Sequence, residues 1–116
     1  MIKVVTLLVS IALVQTAEQT PQLTLEQQAA LRCSAAFAVI AHGQDNGNAD
    51  ALRYPPIADR GREFMVLSMA KLMDETGLGR DAVSQLLSAE AQQLADSGNF
   101  AEVMPACLLL LENAGI

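Results

Sequence analysis

The chain has 116 residues, 52% of them hydrophobic and only 17% charged, which excludes a disordered polyelectrolyte and leaves room for one small domain. Seven basic residues stand against 13 acidic ones, a formal net charge of -6. That balance disfavours nucleic acid, which needs a basic face to displace counterions, and disfavours docking on an anionic membrane surface.

The first segment reads as an address. Lys3 is followed by a largely apolar run from Val4 to Val14, then Gln15-Thr16-Ala17 and the polar Glu18-Gln19-Thr20-Pro21-Gln22. This is the charge, apolar and small-residue order of a secretory signal peptide. The run is shorter than the roughly 20 residues that cross a bilayer as a helix. Residues 1–17 are therefore expected to be a cleaved leader, with Ala17 before the cut. A buried core helix or an uncleaved anchor is the competing reading. Membrane contact is expected only through the leader before cleavage. Residues 18–23 read as a polar lead-in, and residues 24–116 as a single helical domain.

Export bears on the two cysteines. Cys33 and Cys107 have no CxxC spacing, so neither a thioredoxin-type site nor a zinc ribbon is supported. In an oxidising compartment two buried cysteines pair, and a Cys33–Cys107 disulfide is expected. The alternative is two free, small apolar core residues.

The mature chain divides at its turn formers. Thr24, with Gln27 three positions on, has capping-box spacing. A helix is expected from Leu25 to about His42, with Leu25, Ala29, Ala30, Cys33, Phe37, Ile40 and Ala41 as its apolar stripe. The alanines keep it slim. Gly43 to Asn48 consists of turn formers. A short helical piece follows at Asp50–Arg53, broken by Tyr54-Pro55-Pro56. The next helix is expected from about Pro56 to Glu75, thin at Gly61 and stopped by Gly77. Arg80 to about Asp96 continues the pattern, with Val83, Leu86, Leu87, Glu90, Ala91 and Leu94 inward. Asn99 and Glu102 suggest the capping box of a last helix. In that helix Pro105 marks a kink or the true first turn, and the unbroken Leu108–Leu111 run suggests enclosure on several sides. No stretch alternates as a strand does. The fold class is all-α: a compact bundle of four to five helices, the first and last joined by the disulfide.

Chemistry is sparse. His42 is the sole histidine, sits at a helix end where a cation is favoured, and lacks a nucleophile motif beside it. The Asp45–Asp50 run fails as a calcium loop, since Gly47 and Ala49 occupy ligand positions. Asp59 and Glu63 share a helix face, flanked by Arg60 and Arg62, where solvated ion pairs outweigh acid/base work. Arg53 and Tyr54, beside two prolines, form a candidate partner contact. Met65, Met69 and Met73 recur every four residues, either as core packing or as a groove for an apolar partner; copper ligation lacks a nearby histidine. No catalytic residue, metal ligand or cofactor site is expected, and the anticipated partner is a protein or peptide of unknown identity.

The Leu31-Arg32-Cys33-Ser34-Ala35-Ala36-Phe37 helix, Arg60-Gly61-Arg62-Glu63-Phe64 and Met104-Pro105-Ala106-Cys107, behind a leader, resemble small exported helical proteins of Gram-negative bacteria that carry one cysteine pair and no assigned activity. The resemblance implies a periplasmic or secreted protein without a known active site. A looser likeness is to periplasmic acid-stress chaperones. The expected function is a non-enzymatic binding or interaction module; the alternative is an acid-stress chaperone that opens when its carboxylates are protonated.

Overall fold

The computed structural model describes residues 22–116, so the leader expected at residues 1–17 lies outside the described residues. Five helices follow in order: α1 (Leu25–Asp45), α2 (Ala49–Leu52), α3 (Ala58–Thr76), α4 (Arg80–Ser97) and α5 (Phe100–Asn113). No strand occurs among the described residues. The all-α bundle expected from the sequence is what forms.

α1 is the hub and packs against each of the other four helices. It begins on the expected capping box. The Gln27 N–H donates to Thr24 Oγ1 at 3.1 Å, and the Thr24 N–H donates to Gln27 Oε1 at 2.9 Å. The five consecutive residues Cys33 to Phe37 are all buried, which on a helix means burial around the whole circumference. Even Ser34 is fully buried, its hydroxyl without a hydrogen-bond partner among the described residues. The small side chains of Ala35 and Ala36 let neighbours approach on every side. Leu25, expected in the stripe, is instead 83% exposed. Leu31 goes inward in its place, against Leu72 and Val83.

The enclosed helix is thus α1 and not α5. Leu109 in the leucine run is 59% exposed, while Leu111 is fully buried. α5 lies mainly against α1 and less against α3, and Met104, Cys107 and Leu111 on one face are its buried residues. Pro105 falls inside α5, not in its first turn. It has no N–H to give the carbonyl four residues back, and that residue, Ala101, is exposed to water. Asn99 holds the expected N-cap position, but its side chain makes no cap bond.

α1 also outruns its expected end by three residues. A Cβ built on Gly43 would come within 2.7 Å of the Ala51 Cβ. The glycine keeps helical geometry there and gives α2 a place to lie, so what reads as a turn former serves as a contact surface. α3 starts at Ala58 and not at Pro56. The preceding Ile57 is fully buried, and its N–H is committed to Gln44 Oε1 at 3.2 Å.

The helices alternate in direction along α1. Phe37 meets Gly61, and Glu26 meets Lys71, so α3 runs antiparallel to α1. Cys33 bonds to Cys107, with Cα atoms 5.1 Å apart and both residues buried. This fastens the first and last helices at the main core. There the Phe37 and Phe64 rings meet edge to face at 5.4 Å, a favoured aromatic geometry. A smaller core of Leu31, Leu72 and Val83 lies nearer the start of α1.

Gly61 marks the closest crossing of α1 and α3. A Cβ there would lie 2.8 Å from the Phe37 Cβ. Gly61→Ala should gain up to about 1 kcal/mol of helix propensity but lose about 1–3 kcal/mol to overpacking. A net loss is expected in chemical denaturation, although alanine is the better helix former. A stabilised variant would mean that the crossing can spread freely.

Three longer-range ties hold the surface. Arg32 Nε donates to Glu90 at 3.2 Å and joins α1 to α4. Lys71 Nζ bridges Glu26 at 3.1 Å and Glu75 at 3.8 Å. The Arg60 guanidinium donates twice to the backbone oxygen of Ile116. The hydrogen bond and charge of Glu26, then the charge of Glu75, hold the Lys71 ammonium above its ordinary 10.5. A raised cationic group stabilises the fold fully below its unfolded pKa, and that contribution fades as pH rises through the folded value. Wild type and Glu26→Gln should therefore differ in denaturation midpoint at pH 8 and converge at strongly alkaline pH. The difference should be small because the pair is exposed.

Candidate functional site

The candidate site is built at the corner where α1 ends. Gln44, in the last turn of α1, holds the whole connection to α3. Its Nε2 donates to the carbonyl oxygens of Ala51, Tyr54 and Pro55 at 3.1, 3.2 and 2.9 Å, and its Oε1 accepts the Ile57 N–H. The segment that follows α2 has no ladder of its own, so one side-chain amide supplies the partners its backbone requires. Asn48 adds the cap of α2, its Oδ1 accepting the Ala51 N–H at 3.0 Å.

This arrangement presents Arg53 and Tyr54. The Tyr54 side chain is half-buried and packs against the main core. Arg53 stands in solvent with its guanidinium 3.8 Å from Asp50. Both residues line a cleft of about 760 Å³, together with Ile40, His42 and Phe100. Arg53 and Tyr54, neighbours in sequence, share this one cleft, and two further ring side chains, His42 and Phe100, join them there. Phe100 comes from the α4–α5 junction, nearly fifty residues away in sequence.

Other candidates fall elsewhere. His42 is exposed; the Asn46 side-chain amide donates to its backbone oxygen at 2.8 Å and lies 3.3 Å from its Nε2. The His42 position is the helix-end one expected, though α1 runs a turn further. Asp59 and Glu63 are exposed and enter no ion pair among the described residues. The solvated ion pairs expected with Arg60 and Arg62 do not form, and Arg60 turns to Ile116 instead. The Asp45–Asp50 acids face solvent at the end of α1 and on α2. Among the described residues no three His, Cys, Asp or Glu side chains gather as a metal site, and no helix is long and apolar enough to cross a membrane.

The methionines divide. Met69 and Met73 pack against the smaller core. Met65 is half-buried and joins neither core. Met69 alone of the three lines the apolar groove between α3 and α5. Their four-residue spacing puts them along one helix but not into one surface.

Fold and site together define a class: a small all-α bundle closed by an internal disulfide, with an aromatic and cationic corner. The chain matches no family model, no curated protein and no solved structure.

Proposed function

We propose that the protein is an exported, non-enzymatic interaction module, and that the Arg53–Tyr54 corner is where its protein or peptide partner seats. The carrying observation is the cleft itself. It sets Tyr54 and Phe100 beside Arg53 on a turn pinned by Gln44. Tyrosine and arginine are the residue types that dominate binding hot spots, and a pinned turn lowers the ordering entropy of binding. Export is supported by the leader-like first 17 residues and by the buried disulfide, which suits an oxidising compartment. The cleft lining has one imidazole and no serine, threonine or cysteine beside it, which favours binding over nucleophilic catalysis.

The test is capture from an envelope extract by wild type, Tyr54→Ala and Arg53→Ala. One partner retained by wild type and lost from both variants, each still folded by circular dichroism, supports the reading. Equal recovery by all three overturns it.

The acid-chaperone alternative makes a different demand. Every described Asp and Glu is exposed except the half-buried Glu90, so acid reaches no deeply buried carboxylate. Binding of a hydrophobic dye and suppression of client aggregation at pH 3 would favour that alternative; a flat response discards it.

A further inference from the structure

A second surface lies at the other end of α1 and does not depend on the corner cleft. α3 and α5 both pack on α1 but scarcely meet each other. Over the first half of α1 they stand apart and leave a groove. That groove has a volume of about 400 Å³, and a second depression of about 400 Å³, lined by α1 and α5 alone, adjoins it through Ala29, Leu110 and Asn113. Phe64 and Leu72 form the α3 wall, and the small side chains of Ala29 and Ala30 form the floor. A floor of alanines admits another backbone closely. Along α3 the lining runs from Phe64 to Glu75, which is about 17 Å at the rise of an α-helix. That is the length of roughly three helical turns.

Charge selects the occupant. The groove is edged by Glu26 and Glu75 with Lys71 between them, and the adjoining depression carries Glu102 and Arg32. Both cations are already engaged: Lys71 lies between Glu26 and Glu75, and Arg32 is bound to Glu90. Glu102 enters no ion pair among the described residues. The edge is therefore left with excess negative charge around an apolar trough. A second copy of this chain, at net -6, would bring acid against acid, and an anionic lipid surface would be repelled in the same way.

We propose that this groove docks an amphipathic helix from another protein, about three turns long, with an apolar face for the trough and lysines or arginines at its margins. This is the helix-in-groove mode, in which anchors at i, i+4 and i+7 enter the trough.

The experiment uses the disulfide-closed protein and two dye-labelled helical peptides. Both have the same leucine face; one carries lysines elsewhere and the other glutamates. The lysine peptide should bind saturably, about tenfold tighter than the glutamate peptide, and weaken with added salt. Amide shifts should fall on Ala29, Ala30 and Leu110. Glu75→Lys/Glu102→Lys, two surface changes, should erase the preference, and Leu109→Asp should weaken both peptides without unfolding the bundle. Equal affinity for the two peptides, no saturable binding of either, shifts centred on Tyr54, or a dimer in sedimentation that buries the groove would each overturn the proposal. Failure here leaves the Tyr54 capture result intact, and the reverse also holds.

Discussion

The Cys33→Ala/Cys107→Ala protein should melt about 15–25 °C below wild type, read by far-UV ellipticity. The cysteines are 74 positions apart, and joining them removes about 4 kcal/mol of chain entropy from the unfolded state. That is a large part of the roughly 5–15 kcal/mol by which small domains are stable. The architecture sharpens the expectation. α5 packs on α1 and on little else, so the bond secures the helix with the fewest other ties. Hydrogen exchange in the double variant should accelerate first from Phe100 to Asn113, while α3 keeps its protection through the Phe37–Phe64 contact. A melting temperature within a few degrees of wild type would mean that apolar packing alone holds α5.

The second large effect is expected at Gln44. Gln44→Ala removes the partners of three carbonyl groups and of the buried Ile57 N–H. The amide has only two hydrogens for three acceptors, so these bonds are shared. At about 0.5–1.5 kcal/mol net for each effective bond, a loss of about 2–3 kcal/mol is expected in urea denaturation. Gln44→Glu separates hydrogen bonding from packing. A glutamate keeps the shape and can accept from Ile57, but it turns an oxygen toward three carbonyls. At neutral pH it should be at least as damaging as alanine, and it should recover as the carboxyl is protonated. A Gln44→Glu protein as stable as wild type at pH 7 would show that the turn holds without this amide. Either variant should also lower partner capture, because the same bonds set the Tyr54 turn.

Much of the bundle was legible in local signals. The Thr24–Gln27 box, the stop at Gly77 (φ 73°) and the inward face of α4 are all where spacing puts them. Each is decided within a few residues, where propensity and capping operate. What escaped was tertiary. Gly43 and Gln44 read as loop formers, yet one supports α2 and the other holds the connection to α3. Neither role leaves a local pattern, because the partners lie 7 to 13 residues further on: a single alanine Cβ for Gly43, and backbone groups of no particular sequence for Gln44. The leucine run suggested that α5 is enclosed, but hydrophobicity says how much a helix would bury and not how many neighbours reach it. The alanines of α1 permit enclosure, and only the arrangement of the other helices realises it. For the site, Arg53 and Tyr54 stood out by type and by the adjacent prolines. Phe100 could not be joined to them, since it arrives from a distant junction. The methionines illustrate the opposite: a regular spacing was visible, but the surface it suggested divides between core and rim.

The disulfide joins the first and last helices, and the proposed function adds that the chain is exported. Intact mass of the protein from its native source, alkylated before and after reduction, tests this most directly. An exported, disulfide-closed chain should begin at Glu18, take up no alkyl group until a reductant is added, and take up two afterwards. A chain that keeps its first 17 residues, or that is alkylated at both Cys33 and Cys107 without reduction, would contradict it.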